Sequence, residues 1–457
     1  MSIELGEQKE TMTHCKKKQK HFKKPPGENY IRTEYQMNGN FQSLKSDDGF
    51  EFRAFVSKPA SKTAPGIVLL QEGLGINNQI NLCNLLAEEG YLVVAPDLFA
   101  RLDRQVDFAH SQDDVEKGIA LFKKFDTEQG LRDIATTVAA LRTMQGCDGK
   151  VGTIGLGLGG TLAVLTAARY DVQCAISYCG VGIETHLDEV KLITCPLVLH
   201  FAEQDKLSPP ETVSTILGAF SGQKNVKTYT YPGTDHAFAL PESPSYNKPA
   251  ASMAYSRSFA VLQRAMGPEF DLSALWDRHL ECEFVDRDVE SNMQTMVAQP
   301  YVNSIPTMTG GVGYDELYNF YKYHFLDVNP GDTRTIPISR TIGADRVVDE
   351  MIFCFTHDRE IDWMLPGVAP TGNYVEVPLV AIVCFRGGKL YNEHIYWDQA
   401  SVLVQIGLLP RDGLPVTGIE ATQKLVNEQL PSNLLMKNCH FRRLEAPPFP
   451  AAGARIK

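Results

Sequence analysis

The chain has 457 residues, about three times the length of a typical domain, so we expect two or three domains. Its 44 Lys and Arg against 55 Asp and Glu give a net charge of -11, which argues against nucleic acid as a partner, because phosphate binding needs clustered basic residues. Its apolar stretches, such as residues 377–385, are far shorter than the roughly 20 residues that cross a bilayer, so we expect no membrane partner.

A basic segment, KKKQKHFKK at residues 16–24, precedes two prolines. We interpret residues 1–28 as a solvated, disordered tail, with a nuclear-localisation signal and a membrane-surface patch as the alternatives. No apolar stretch of the length that a secretory signal needs accompanies this segment, and ten cysteines are scattered without a CxxC pair. We therefore expect a cytoplasmic protein without disulfides or a structural zinc ion.

Residues 29–266 are predicted to form an α/β domain with a doubly wound, mostly parallel sheet. Short β-branched runs alternate with longer helical patterns, as they do when crossover helices join parallel strands. Ahead of them, two segments of period two, 30–37 and 50–59, flank SDDG and predict an antiparallel hairpin at the sheet edge. The parallel strands are predicted at residues 66–71, 91–95, 150–155, 172–179, 196–201 and 226–231.

Residues 267–440 are predicted to form a second, α+β domain, because helical patterns come first and strand patterns follow. The Gly-Gly pair in FRGGKL predicts a hairpin turn between two of the strands. The Pro-rich and Ala-rich residues 441–457 are predicted to be a disordered tail. The helices are predicted at 272–297 and 314–326, and the strands at 334–342, 346–357, 375–386 and 389–397.

The sequence GLGLGG at 155–160 directly follows a predicted strand and opens a helical stretch. This is the setting of a nucleophile elbow, a sharp strand-to-helix turn that exposes one side chain and crowds its neighbours. A dinucleotide-binding turn is the alternative. Its GxGxxG spacing and the acidic residue about 20 positions further on do not match, so we expect no nucleotide cofactor.

Two further residues complete a hydrolase-like order along the chain. Asp205 follows one predicted strand in HFAEQD, and His236 follows the next in YPGTDHAF. Elbow, acid and histidine is the chain order of α/β-hydrolases, in which the three side chains meet at the carboxyl edge of the sheet. Either residue alone is more often a turn or surface group, and only their joint placement predicts an active site.

These motifs resemble the dienelactone hydrolases, also called carboxymethylenebutenolidases, over residues 47–238. LLQEGLGIN looks like the family's glutamate-bearing loop, PDLFAR like its PDLYAR, and KVGTIGLGLGGTLA like its elbow. The resemblance implies a triad that opens a lactone. The acid maps to Asp205, the histidine to His236, the thiol-controlling glutamate to Glu72 and the carboxylate-binding arginine to Arg101.

The elbow departs from this family, because the position of the family's cysteine is Gly157. The resemblance assigns the oxyanion-binding N–H groups to Gly73 and Leu158, beside Gly157. We expect neither Thr161 nor Cys179 to replace the nucleophile, since Thr161 lies one helical turn further on and Cys179 follows a different strand. Covalent catalysis is therefore not expected, whereas the Asp and His pair remains able to act as a general base.

The second half resembles SnoaL-like polyketide cyclases, which share the cone-shaped fold of nuclear transport factor 2. The resemblance is carried by VPLVAIVCFRGGKLYNEHIYWDQASVLVQIGLLP and covers about residues 272–409. It implies an apolar pocket in which Asp398, at the WD position, is the base of an aldol closure. A carboxylate in an apolar pocket has a raised pKa, as such a base needs. The alternative is that Asp398 only caps the following helix.

Other polar and aromatic residues of this half are predicted at the pocket or its rim, although strand register decides which of them face inward. The cluster at residues 357–360, HDRE, is typical of a solvated hairpin end, and we expect no metal ion there. The predicted pocket or rim residues are His324, His357, Trp363, His394 and Tyr396.

Three functions stay open on the sequence alone. The first, which we take as the leading hypothesis, is an enzyme of polyketide-like or aromatic small-molecule metabolism, with cyclase-, lyase- or isomerase-type acid-base chemistry in the SnoaL-like pocket. The second is a lactone or ester hydrolase in which Asp205 and His236 activate water. The third is a non-catalytic protein that binds a ligand. We expect a small-molecule substrate and no cofactor in the first two, and we leave open whether the chain forms a homodimer.

Overall fold

The structure is a computed structural model that describes residues 39–104, 106–109, 111–436, 447–450 and 455–456. The predicted basic tail, 1–28, and the first predicted strand, 30–37, lie outside these residues. Both sheets described below belong to one compact unit. No helix within the described part of the chain is long and apolar enough to span a membrane.

The first sheet has eight strands in the order β1-β2-β4-β3-β5-β6-β7-β8. Strands β3 to β8 run parallel, as their alternation with helices predicts, and β2 joins the sheet antiparallel to β4. The strands are β1 (Gly39–Lys45), β2 (Glu51–Ser57), β3 (Ala64–Leu70), β4 (Leu92–Pro96), β5 (Cys147–Leu156), β6 (Ala175–Tyr178), β7 (Leu197–Ala202) and β8 (Val226–Tyr231).

Helices cover both faces of this sheet, so its central strands are apolar along their whole length. All residues of β3, β4, β6 and β7 are buried, the pattern expected of parallel strands covered on both sides. The helices are α1 (Ile80–Glu88), α2 (Gln112–Phe122), α3 (Thr127–Thr143), α4 (Leu158–Arg169), α5 (Pro210–Ala219) and α6 (Lys248–Met266).

The edge hairpin exists, but its first strand is not the one predicted. Strand β1 pairs antiparallel with β2 around the SDDG turn, with Lys45 opposite Glu51. A turn this short makes the residues directly before it the partners of β2. The observed strand, Gly39–Lys45, begins several residues after the alternating pattern at 30–37 from which it was predicted. Residues 30–37 themselves lie outside the described part of the chain.

The second sheet has six strands in the order β10-β9-β14-β13-β12-β11. Its strands pair antiparallel except β14 with β9, which run parallel. The strands are β9 (Met296–Ser304), β10 (Thr309–Val312), β11 (Arg334–Ile342), β12 (Arg346–Thr356), β13 (Tyr374–Arg386) and β14 (Lys389–Trp397). The helices are α7 (Leu272–Glu281), α8 (Val289–Gln294), α9 (Tyr314–Phe320), α10 (Gln399–Gln405) and α11 (Glu420–Val426).

The helix predicted at 272–297 is broken into two, and its last residues belong to a strand. A π-helical turn, Cys282–Asp286, follows α7, and Arg287 then takes a left-handed conformation with φ of 50°. Asp288 begins α8 by accepting a hydrogen bond from the Ser291 N–H. The apolar spacing continues through this break, so periodicity alone does not reveal it.

The predicted C-terminal tail, 441–457, has no helix or strand in the few residues of it that the structure describes. One of them nevertheless makes specific contacts with the second sheet. The Ile456 N–H donates to Glu376 Oε1 at 2.9 Å, and Arg334 donates to the Ile456 carbonyl at 2.8 Å. The division of the chain at residue 266 and the SnoaL-like relationship of the second sheet stay predictions.

Candidate active site

The predicted strand-to-helix turn is present between β5 and α4. Gly157 occupies its tip with φ of 53° and ψ of -114°, and its N–H donates to the Tyr178 carbonyl at 2.9 Å. The glycines on both sides are needed for close packing, since a Cβ on Gly155 would collide with the Gly159 carbonyl and one on Gly159 with the Leu70 carbonyl. The elbow geometry is therefore complete without a nucleophile.

Asp205 and His236 lie together at this edge, as predicted from their positions after β7 and β8. The His236 Nδ1 is 2.7 Å from Asp205 Oδ2, and Asp205 Oδ1 accepts the Leu207 N–H at 2.9 Å. Asp205 is 2% exposed, so its carboxylate is fixed behind the imidazole. With Nδ1 donating to the carboxylate, Nε2 is the ring nitrogen that is able to accept a proton.

The pKa of His236 lies above its ordinary value of 6.5, as the net result of opposing effects. Burial lowers the pKa, but the hydrogen bond to Asp205 and the charge of that carboxylate outweigh burial, and the charge of Glu72 acts in the same direction. The imidazolium is thus stabilised in the site, as a proton-accepting base requires.

The vacant side-chain position of Gly157 faces His236 and Glu72. A Cβ built on Gly157 would lie 3.5 Å from His236 Nε2 and 3.4 Å from Glu72 Cβ. The adjoining cavity measures about 10 Å³, roughly the space of one water molecule. Its lining consists of Glu72, Leu156, Gly157, Tyr178, Cys179, His236, Ala237, Ala239 and Leu240.

The predicted oxyanion donors belong to segments that meet at the elbow. Leu158 is the first residue of α4, where a backbone N–H has no acceptor within the helix. The loop after β3, which carries Glu72 and Gly73, is tied to the elbow because the Gly159 N–H donates to the Gln71 carbonyl at 3.0 Å. The donor roles of Gly73 and Leu158 stay predictions.

Cys179 is closer to the site than its strand assignment suggested. The register of β5 and β6 pairs Leu156 with Tyr178, so Cys179 lies beside Gly157, and its φ of 48° is also positive. Its sulfur, a carboxylate oxygen of Asp205 and a ring nitrogen of His236 all lie within 4.8 Å of one another. Burial, with the charge of Asp205, raises the pKa of this thiol to about 12, so it stays protonated.

Two other residues named from the sequence are held away from the cavity. The Thr161 hydroxyl donates to the Val181 carbonyl at 2.7 Å, in line with the expectation that it points elsewhere. Arg101 pairs with Asp133 at 2.8 Å and with Asp48 at 2.9 Å, and it does not line the cavity. Two carboxylates thus occupy the guanidinium that was predicted to bind a substrate carboxylate. Carboxylate binding by Arg101 stays a prediction without support from this geometry.

In the second half of the chain, one of the predicted pocket residues lines a cavity and the others do not. Trp363 is buried and lines a cavity between the sheet and its helices. By contrast, His324 is exposed and paired with Asp362 at 2.6 Å, and Tyr396 is exposed, so neither lines that cavity. The strand pleat explains this correction for Tyr396, since neighbouring residues of a strand face opposite sides. His357 and His394 do not line the cavity either.

Asp398 has the capping geometry rather than the pocket geometry. Its Oδ1 accepts the Ala400 N–H at 3.0 Å at the start of α10, its side chain is exposed, and it does not line the cavity. The strand ends before Asp398 and the chain turns into the helix, so this geometry gives no support to the predicted role of Asp398 as a pocket base. The carboxylates that do line the cavity are Glu283 and Glu393, which the sequence analysis missed.

The fold and site together define the class of the protein. A mostly parallel sheet that carries an elbow, an acid and a histidine at successive strand ends, in this chain order, is an α/β-hydrolase. Comparison with known proteins identifies the family within that class.

The Dienelactone hydrolase family matches residues 52–266. Carboxymethylenebutenolidase from Pseudomonas putida is 34% identical over 227 residues, which are 48% of this chain and 94% of that protein. Carboxymethylenebutenolidase 1 from Cupriavidus pinatubonensis is 32% identical over 227 residues, 49% of this chain and 97% of that protein. A solved dienelactone hydrolase-like promiscuous phosphotriesterase from metagenomic libraries is 18% identical, covers 50% of this chain and 100% of its own, and has a TM-score of 0.43.

The chain belongs to the dienelactone hydrolase family. This relationship supports the prediction that the protein is a hydrolase-family enzyme, and it agrees with the resemblance seen at the elbow, the acid and the histidine. The matched residues end where the first sheet and its last helix end, so the relationship concerns the first half of the chain.

Proposed function

We propose that this protein hydrolyses lactones or esters without a covalent intermediate, with His236 as the base that activates water. The observation that carries the proposal is the vacancy at Gly157. The space that a nucleophilic side chain fills in a hydrolase elbow is here a cavity for about one water molecule, next to His236 Nε2.

The proposed reaction needs only groups that line or adjoin this cavity. Water gives a proton to His236 Nε2 while its oxygen attacks the carbonyl carbon, and Asp205 stabilises the imidazolium that forms. The N–H groups of Leu158 and Gly73 are the proposed donors to the oxyanion. The imidazolium then returns its proton to the leaving alkoxide as the carbon–oxygen bond breaks, which yields an acid and an alcohol.

The relatives favour this chemistry, which the sequence left as an alternative, over the polyketide-cyclase chemistry that was the leading hypothesis. Two proteins more than 30% identical to the chain are named carboxymethylenebutenolidases. The cyclase hypothesis depended on Asp398, whose exposed carboxylate accepts a helix N–H instead of lining a cavity. A hydrolase that acts on a lactone or simple ester therefore fits the site better.

Hydrolysis of p-nitrophenyl acetate and of an unsubstituted six-membered lactone tests the proposal. The variant His236→Asn should lower kcat/KM by about 10² to 10⁴-fold, the range for a positioned base. The matched control is His324→Asn, which removes the exposed histidine of the pair with Asp362 and should leave the rate unchanged. Intact-protein mass spectrometry during turnover should find no acyl adduct and kinetics should show no burst.

Three outcomes would contradict the proposal. An acyl adduct on Cys179 or Thr161 would restore a covalent nucleophile. Equal rates for wild type and His236→Asn would assign the hydrolysis to another site. A wild-type protein that binds these compounds but does not turn them over would identify a ligand-binding relative of the enzymes.

A further inference from the structure

A second cluster of titratable side chains lies in the other half of the protein, far from the elbow in sequence and outside the proposed mechanism. His279 lies in α7, Glu283 in the π-helical turn that follows, and Glu393 in β14. All three are at least 95% buried, with exposures of 0%, 5% and 1%. Buried carboxylates are rare unless they are paired or bind a metal ion.

The three donor atoms converge on one point. His279 Nε2 is 3.2 Å from Glu283 Oε1 and 3.1 Å from Glu393 Oε1, and the three atoms lie within 4.8 Å of one another. Nitrogen and oxygen ligands at about 2.1 Å from a metal ion are roughly 3.0 to 3.4 Å apart in octahedral or tetrahedral coordination. The measured separations from Nε2 fall in this range.

One carboxylate oxygen lacks the hydrogen bond that a purely structural network would give it. Glu393 Oε1 is buried and has no hydrogen-bond partner, although His279 Nε2 is only 3.1 Å away. A proton on Nε2 in the plane of the ring is therefore not directed at this oxygen. Ligands around a shared ion have this arrangement, because each points at the ion and not at its neighbours.

The other side of the imidazole is fixed as it is in metal sites. His279 Nδ1 is 2.6 Å from Thr295 Oγ1, and the Thr295 hydroxyl donates its own proton to the Asn292 carbonyl at 2.6 Å. Nδ1 is consequently the donor to Thr295, which leaves Nε2 as the ring nitrogen with a lone pair for a metal ion. Metal-binding histidines commonly have their second nitrogen held in this way.

The charge of the cluster also favours a cation. Two carboxylates face one imidazole, and among the described residues neither carboxylate has a Lys or Arg in ion-pair contact. Two carboxylates and one imidazole form a donor set that a divalent ion is able to neutralise.

We propose that His279, Glu283 and Glu393 bind a divalent transition-metal ion. The donor set of one imidazole and two carboxylates suits Zn²⁺, Mn²⁺, Fe²⁺ or Co²⁺ better than soft ions that prefer thiolates. A cavity of about 30 Å³ adjoins both glutamates and has room for about two water molecules, which would complete the coordination. This site differs from the HDRE cluster, and the sequence analysis did not predict it.

The test measures metal binding by the full-length protein, independently of hydrolysis. The protein is stripped with EDTA and titrated with Co²⁺ and with Zn²⁺, followed by visible absorption and by elemental analysis after gel filtration. We expect one tightly bound ion per chain. Glu393→Gln and Glu283→Gln should each weaken binding by more than about 100-fold, and Thr295→Val, which removes the contact to Nδ1, by about 10 to 100-fold.

The matched control is Glu360→Gln, which removes an exposed carboxylate of the HDRE cluster and should leave the affinity unchanged. Circular dichroism checks that each variant is folded. If the buried variants fail to fold, Thr295→Val and the wild-type stoichiometry still decide the question. The proposal would be overturned by a wild-type protein without a saturable site, by unchanged Co²⁺ affinity in Glu393→Gln, or by a loss of binding only in Glu360→Gln.

Discussion

At Gly157 the backbone keeps a conformation whose purpose in a hydrolase is to present a side chain that is absent here. Its φ of 53° lies in the region of positive φ that glycine enters most easily. Glycine therefore adopts the turn without backbone strain. Because Gly157 has no side chain, a cavity lies in front of His236. A water molecule in this cavity is therefore the candidate nucleophile.

Cys179 gives the first residue-scale prediction, because it is the nearest alternative nucleophile. Cys179→Ala should keep kcat/KM for p-nitrophenyl acetate within about twofold, since a thiol with a pKa of about 12 is almost wholly protonated near neutral pH. For the same reason, iodoacetamide should label it slowly in the folded protein. A fall in rate comparable with that of His236→Asn would make Cys179 the nucleophile.

The pH dependence of hydrolysis gives the second residue-scale prediction. A general base works in its neutral form, so kcat/KM should rise with pH through the pKa of His236, which lies above 6.5. Asp205→Asn removes the charge that raises this pKa, leaves the lowering effect of burial, and should move the rise to lower pH with a reduced plateau. Asp362→Asn, at the exposed pair, is the control. An unmoved profile in Asp205→Asn would exclude His236 as the titrating base.

Among the elements, helix α10 begins at an aspartate for which the sequence allows two roles, that of a helix cap and that of a catalytic base. Asp398 is its N-cap residue and accepts the Ala400 N–H at 3.0 Å. Short helices depend on such caps, because their first backbone N–H groups have no acceptor within the helix. The sequence WDQ is compatible with both roles, and the exposure of the carboxylate favours the cap.

Two substitutions at Asp398 separate these roles. Asp398→Ala should lower the free energy of unfolding by about 1 kcal/mol, and Asp398→Asn should leave it nearly unchanged, since Asn caps as well as Asp. Neither should alter ester hydrolysis. Urea unfolding and the p-nitrophenyl acetate assay check both statements. A stable Asp398→Asn protein that has lost a cyclase or lyase activity would return Asp398 to the role of a base.

In the whole molecule, the hairpin turn of the second sheet packs against the first helix. Gly387, with φ of 54°, donates its N–H to Glu89 Oε2 at 2.9 Å, and a Cβ on it would collide with the Glu88 carbonyl. Ser256 and Gln263 of α6 add hydrogen bonds to Asp345 and to the Ala344 carbonyl, at 3.0 Å each. The two halves are thus joined by specific contacts that include a buried acid.

That acid makes the stability of the molecule depend on pH. Burial raises the pKa of Glu89 from its ordinary 4.5 to about 7, so the folded state favours the protonated form. Its contribution to stability is therefore complete below about pH 4.5 and is lost as the pH rises through about 7. Comparing Glu89→Gln with wild type by urea unfolding at about pH 5 and pH 8 should show a smaller loss in the variant. Equal losses would contradict the assignment, and Glu360→Gln is the exposed control.

The sequence by itself determined the mostly parallel first sheet, most of the strands, the elbow turn and the proximity of Asp205 and His236. These follow from local patterns: strand periodicity, glycine crowding, and the rule that successive parallel strands end at the same edge. The family relationship of the first half confirms the α/β-hydrolase fold of this part.

Only the tertiary structure decided which side chains meet across separate elements. Strand register places Cys179 beside Gly157, and Arg101 forms ion pairs with two aspartates. The carboxylate of Asp398 is exposed, and Glu283 lies close to Glu393. The spacing of His279 and Glu283, four residues apart, was a weak signal in the sequence. The third member of that cluster comes from a strand more than 100 residues away, and such a contact is fixed by the register and packing of the fold, which local sequence patterns do not encode.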